Sequence, residues 1–125
     1  MPAHSTILCI DDEELALSLR KLVLESAGYS VLTATNATQG LEVFNSNSIN
    51  LVITDHLLAP GTGRSLVAEL RRLSPKLPIM ILSGGTALRE MVEPPDYCLH
   101  KLEGPTEMIA KVRSAILLAT RVTHL

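Results

Sequence analysis

Thr6-Ile7-Leu8-Cys9-Ile10-Asp11-Asp12-Glu13-Glu14 is the stretch that decides the fold. Five mostly branched residues run without polar alternation and stop at four acids. A short continuous apolar run of this kind reads as a strand buried on both faces, the habit of parallel sheets covered by helices. Helical spacing follows at once. From Glu13 to Ala27, Leu15, Leu19, Leu22 and Val23 mark an inward row, Arg20 and Lys21 fall on the other side, and Gly28 stands at a C′ stop. A buried strand feeding an amphipathic helix is one βα unit.

The unit then recurs along the chain. Ser30 to Ala34 reads as a second strand, and Ala37 to Phe44 as a helix with Leu41 and Phe44 apolar. Leu51-Val52-Ile53-Thr54 is a third strand that halts at Asp55. After a loop holding Pro60, Gly61 and Gly63, Ser65 to Leu73 forms a helix with Leu66, Val67 and Leu70 inward. Ile79-Met80-Ile81-Leu82 is a fourth strand, ending at Ser83-Gly84-Gly85. Thr86 to Val92 has room for two helical turns before Pro94-Pro95, so this helix is short or irregular. Tyr97-Cys98-Leu99 is a brief fifth strand ending near Lys101, and Thr106 to Thr120 is the last helix, entered through Gly104-Pro105. Five strands alternating with helices imply an α/β domain with a doubly wound parallel sheet, and the order 2-1-3-4-5 suits five strands.

Composition narrows the function. The 125 residues make one domain, 1–125, without linker or repeat. At 46% hydrophobic and 19% charged the chain is neither a disordered tail nor a membrane protein. Aromatics are only 2%, namely Tyr29, Phe44 and Tyr97, so the core is aliphatic and stacking platforms for single-stranded nucleic acid are few. A net charge of −2 excludes the electrostatic footprint of a nucleic-acid binder. Cys9 and Cys98 lie in apolar stretches without CxxC spacing and read as buried free thiols of a reducing compartment. The start of the chain lacks a basic signal-peptide region, so the expected location is the cytoplasm.

In open α/β sheets, ligands bind beyond the carboxyl ends of the strands, where strand order reverses. The polar residues at those ends are Asp11 and Asp12, Asp55, Ser83 and Lys101, whereas the second strand ends in Thr35-Asn36. Clustered carboxylates repel unless a cation sits among them, and Mg²⁺ prefers carboxylate and water oxygens. A carboxylate is also a nucleophile toward phosphorus, and a transferring phosphoryl group needs positive charge and donors around its oxygens. Each piece alone has an ordinary reading. Asp11 to Glu14 suits a helix N-terminus, Asp55 a turn, Ser83-Gly84-Gly85 a loop and Lys101 a solvated side chain. Their joint placement carries the inference. His56 reads as a rim residue, His100 as solvated, and His4 and His124 as terminal.

With those residues in place, the sequence resembles the receiver domain of two-component response regulators over essentially its whole length. The matching pieces are Ile10-Asp11-Asp12-Glu13, Thr54-Asp55, Ser83-Gly84 and Leu99-His100-Lys101. The resemblance implies a flavodoxin-like fold with Asp55 as phosphoacceptor and Asp11, Asp12 and Asp55 holding Mg²⁺. It also implies that Ser83 and Lys101 contact the phosphoryl group. The domain is then not a turnover enzyme, although it assists its own phosphorylation and dephosphorylation. The expected partners are a histidine kinase or phosphotransfer protein and a downstream protein, with no direct nucleic acid and no membrane insertion. The expected assembly is a monomer or weak dimer, and the expected type is a stand-alone regulator in a phosphorelay.

Several positions depart from the family pattern. Leu102 follows Lys101 where proline is common, although Pro105 matches the proline that opens the final helix. In the loop after Asp55, Pro60 falls one position late while Gly63 keeps its place. The usual switch aromatic, three residues before the lysine, is here Cys98. Tyr97 points to the opposite face unless a bulge intervenes. Activation is therefore expected to leave through the Pro60–Gly63 and Ser83–Gly85 loops. Leu57 and Gly85 offer hydrolytic water no activating group, so slow loss of the phosphoryl group is expected. The alternatives are a pseudo-receiver that binds a partner in one fixed state and a receiver cut from a hybrid kinase. A flavin binder is disfavoured by the lack of aromatics.

Overall fold

The computed structural model of the chain describes residues 5–55, 63–83, 97–100 and 103–124, with side chains throughout except at 63–65 and 120–124. Within these residues the elements are β1 (Thr6–Ile10), α1 (Glu14–Ser26), β2 (Ser30–Ala34), α2 (Ala37–Ser46), β3 (Leu51–Asp55), α3 (Gly63–Leu73), β4 (Ile79–Ser83), β5 (Tyr97–His100) and α4 (Pro105–His124). The short helix expected over 86–92, the Pro60–Gly61 turn and the Gly84–Gly85 step lie outside the described residues.

All four strand pairings are parallel, in the order β2-β1-β3-β4-β5. β1 lies between β2 and β3, so the chain leaves β1 toward one edge of the sheet to make β2 and then crosses to its other side to make β3. That is the switch point the sequence reading sought. The register places Ile10 beside Thr54, Asp55 beside Leu82 and Ser83 beside His100. The ends of β1, β3, β4 and β5 thus lie on one rim.

Continuous apolar strands bury both faces, so there are two cores. Ile7, Cys9, Leu51, Ile53, Met80, Leu82 and Leu99 pack with Leu17 and Leu24 of α1 and Met108, Val112 and Ala115 of α4. Leu8, Ile10, Val52, Ile79 and Ile81 pack with Leu66, Val67 and Leu70 of α3, and Leu41 and Phe44 of α2 join them half-buried. Gly40 lets α2 approach closely. A Cβ there would lie 2.6 Å from Ile10 Cδ1. Gly28 adopts φ +100° and closes α1. Its N–H donates to Glu25 O at 3.0 Å and the Tyr29 N–H donates to Leu24 O at 3.2 Å, the paired bonds of a Schellman stop.

Two expectations need correction. The inward face of α1 is built from Leu17 and Leu24, with Ala16, Arg20 and Val23 half-buried beside them, whereas Leu15, Leu19 and Leu22 are exposed. Both leucine rows have helical spacing, and only contact with the sheet and α4 selects one. The second correction is Cys98, which is exposed; only Cys9 is buried. β5 keeps an unbroken register, and Tyr97 joins the core shared by α1 and α4 without a bulge.

Candidate functional site

Strands buried on both faces end where the sheet stops excluding water, so a polar residue there is half inside. Asp11, Thr54, Asp55 and Ser83 are the buried polar residues among those described. Such groups persist inside only when charge or hydrogen bonds compensate their lost hydration. Asp11 extends β1 by one step, its N–H donating to Ala34 O at 3.1 Å. Its Oδ1 accepts the Glu13 N–H at 2.9 Å, which fixes the turn into α1. Its Oδ2 accepts from Arg20 Nη1 at 3.3 Å. Both side chains of that ion pair are sheltered, with 12% of Arg20 and 3% of Asp11 exposed.

Asp12, one residue on, is exposed and turns toward the same rim. Carboxylate oxygens of Asp11, Asp12 and Asp55 all lie within 4.8 Å of one another. Three carboxylates so close repel strongly in a medium less polarisable than water. Their oxygens form the hard donor set a divalent cation such as Mg²⁺ takes, so these residues fit that ion. Ser83 reaches the rim at the end of β4, two strands from β1. Lys101, expected to complete the set, lies outside the described residues, as do His56 and Leu57. Its predecessor His100 is exposed and pairs with Ser83 across the β4–β5 register.

Beside the carboxylates, α1 and the β5–α4 connection enclose a cleft of about 430 Å³ whose wall includes Asp11, Glu13, Arg20, Leu82, Glu103 and Met108. Glu103 braces it. Its Oε1 accepts from Lys111 Nζ at 2.9 Å and from the His100 N–H at 3.3 Å, and its own N–H donates to His100 O at 3.0 Å. The bond from Lys111 holds the Glu103 carboxyl below the usual carboxylate range. Glu103 Oε2 is buried and has no hydrogen-bond partner.

The sequence reading missed Arg20, Glu103 and Lys111. Arg20 had a readable signal only in hindsight of the helix phase, since it falls between Leu17 and Leu24 on the inward row. Glu103 and Lys111 carry no motif.

Comparison with known proteins agrees with this geometry. The family model "Response regulator receiver domain" matches residues 7–113. The chain is 37% identical over 91 residues to the transcriptional regulatory protein GlrR of Escherichia coli, covering 73% of this chain and 20% of GlrR. It is 31% identical over 105 residues to the autoinducer 1 sensor kinase/phosphatase LuxN of Vibrio campbellii, covering 84% of this chain and 12% of LuxN. The chain thus spans a small part of the length of these relatives. Among solved structures, a response regulator receiver domain protein from Clostridium thermocellum is 32% identical with a TM-score of 0.87, covering 94% of this chain and 98% of that one. A CheY-like receiver domain protein from Methanospirillum hungatei shares the fold at TM-score 0.90 and 24% identity, covering 95% and 98% of the two chains. From its strand order, its rim and these matches, the chain belongs to the response regulator receiver domain family of two-component signal transduction.

Proposed function

We propose that this receiver accepts a phosphoryl group on Asp55 in a reaction that requires Mg²⁺. The observation that carries the proposal is the meeting of Asp11, Asp12 and Asp55 at the switch point, their oxygens within 4.8 Å, with Ser83 on the adjoining rim. An Asp55 oxygen attacks phosphorus, the bond from phosphorus to the donor's imidazole nitrogen or acyl oxygen breaks, and the donor leaves with the electron pair. The product is an acyl phosphate, which water later hydrolyses. Mg²⁺ supplies the charge that lets the carboxylates and phosphoryl oxygens coexist. In the same reading Asp11 and Asp12 hold the ion with Asp55, and Ser83 donates to a phosphoryl oxygen. Lys101 supplies a second positive charge. The domain assists its own phosphorylation and dephosphorylation but does not turn over a separate substrate.

The donor in this proposal is a histidine kinase or a phosphotransfer protein, and the readout is a downstream protein partner rather than nucleic acid or membrane. To react, a donor must seat its phosphohistidine on the carboxyl rim, beside the start of α1. There Leu15, Leu19 and Leu22, spaced one helical row apart, leave an exposed apolar strip. We place the protein in the cytoplasm as a monomer or weak dimer. Its free exposed Cys98 suits a reducing compartment. No helix among the described residues is long and apolar enough to cross a membrane.

Incubation with Mg²⁺ and acetyl phosphate, read by intact mass, tests the acceptor. One phosphoryl adduct is expected on the wild type and none on Asp55→Asn; an adduct on the variant would sink the assignment. A polypeptide mass of 13.5 kDa under denaturing conditions in cell extract supports the stand-alone reading, and a larger one makes the chain part of a longer regulator or kinase. A second reading has its own support. Arg20 already neutralises Asp11, as it would in a pseudo-receiver that needs no metal. Titration with Mg²⁺ watched by NMR separates the two, because the pseudo-receiver gives no saturable shift at Asp11, Asp12 and Asp55.

A further inference from the structure

Asp11 has two carboxylate oxygens, and both are engaged. Oδ1 takes the Glu13 N–H at 2.9 Å, an anchor that forms the turn from β1 into α1. Oδ2 takes the Arg20 guanidinium at 3.3 Å. Charge-assisted N–H···O bonds are ordinarily about 2.7–2.9 Å, so the anchor is tight and the arginine contact is long. A cation entering the carboxylate trio needs an Asp11 oxygen, and the weaker of the two contacts is the one to yield.

A guanidinium that is mostly buried cannot simply be abandoned, because an unpaired interior charge is far more costly than a paired one. The cleft offers it a destination. Arg20, Glu13 and Glu103 line the same 430 Å³ space; Glu103 Oε1 is held by Lys111 and His100, and its second oxygen, Oε2, is buried with no hydrogen-bond partner. The apolar wall of Leu19, Val23, Leu82 and Met108 fits the arginine stem whichever acceptor its head meets.

Resting on the reading of Asp11, Asp12 and Asp55 as the metal ligands, we infer that Arg20 is a positioning residue that exchanges acceptors. It pairs with Asp11 when the trio is empty of metal and with the Glu103 carboxylate when a divalent cation binds. Arg20 therefore opposes metal entry, and it reports metal occupancy to Glu103, two residues before α4. Glu103 is itself tied to His100 at the end of β5 and to Lys111 of α4.

Mg²⁺ titration by NMR tests this on the whole chain, following backbone amides and the Arg20 Nε–H resonance. The variants are Arg20→Met, which fills the same apolar wall without charge, and Arg20→Lys, which keeps the charge without the fork. The wild type is expected to saturate with the Arg20 Nε–H and Glu103 amide shifting together. Arg20→Met is expected to saturate at about fivefold lower Mg²⁺, the upper end of what an ion pair at the protein surface contributes, and to lose the Glu103 shift. Arg20→Lys falls between the two. An unchanged or raised midpoint in Arg20→Met, or an Arg20 resonance that does not move at saturation, overturns the inference while leaving the metal site standing. If the wild type gives no saturable shift at Asp11, Asp12 and Asp55, the metal-site reading fails and this inference with it. Should Arg20→Met lose native amide dispersion, the wild-type Arg20 resonance and Arg20→Lys still decide.

Discussion

Cys9 sits in β1, an interior strand, fully buried, and desolvation pushes its thiol up to about 12, with the Arg20 charge only partly opposing. Cys98, on the edge strand, is exposed. Since the thiolate is the nucleophile, alkylation of the folded protein at pH 8 should add one group, at Cys98, and a second only in denaturant; peptide mass mapping checks this. The pH dependence follows in sign. An unfolded thiol ionises near its ordinary value of about 8.5, whereas folded Cys9 keeps its proton until about 12. Between those values the native state binds the extra proton, so this contribution is present below pH 8.5 and is lost as pH rises. Urea midpoints should fall across that window more steeply in the wild type than in Cys9→Ala, and equal slopes would refute it. At this scale the sequence was legible wherever an acid or hydroxyl ended an apolar run: Asp11, Asp55 and Ser83 are all found buried on the expected rim. Cys98 was not legible, because an apolar neighbourhood in sequence says nothing about whether a strand lies at the edge of its sheet.

Among the elements, α1 shows where pattern alone gives out. Leucines occupy positions 15, 17, 19, 22 and 24, so two rows satisfy the 3.6-residue period. Tertiary packing chose the row of Leu17 and Leu24, took Arg20 inward with it, and left Leu15 and Leu22 at 74% and 63% exposure. The strands posed no such ambiguity, since β1 and β2 have the bounds the sequence indicates and β3, β4 and β5 run one residue further. The outward row yields a prediction about docking. Leu15→Glu with Leu22→Glu should leave stability within about 0.5 kcal/mol and phosphorylation by acetyl phosphate unchanged. Transfer from a phosphohistidine donor should slow by roughly tenfold, about 1.4 kcal/mol of lost docking. Equal loss with both donors would mean that α1 serves the chemistry and not the encounter. On α2, Gly40→Ala brings a methyl group to 2.6 Å from Ile10 Cδ1 and 3.2 Å from its Cγ1, and the fully buried Ile10 must shift to admit it. Overpacking costs about 1–3 kcal/mol against a helix-propensity gain of about 1 kcal/mol. A net loss of about 1 kcal/mol in urea unfolding is expected, and a gain would show that α2 can lift off β1.

Taken whole, the molecule places its charge strain at one rim of an otherwise aliphatic body. Two apolar cores clamp the sheet from both sides, and their strands deliver Asp11 and Asp55 to adjacent ends with Asp12 beside them. The strands cannot separate those carboxylates without breaking the register that buries Ile10 and Thr54 side by side. The repulsion of Asp55 with Asp11 and Asp12 is therefore borne by the native state and absent from the unfolded chain, where Asp55 lies more than 40 positions away. A divalent cation bound by the trio removes that repulsion in the native state alone, and linkage then raises global stability. At tenfold the dissociation constant the gain is about 1.4 kcal/mol, or a rise of about 5 °C in Tm for a domain of this size. Wild-type Tm should climb with Mg²⁺ and return on chelation. Asp55→Asn, which deletes one charge from the trio, should start at an equal or higher Tm without metal and gain less than half as much from it. Thermal melts across a Mg²⁺ series decide the matter. A wild-type Tm indifferent to Mg²⁺ would mean that the strain is already relieved within the fold, Arg20 contributing through its pair with Asp11.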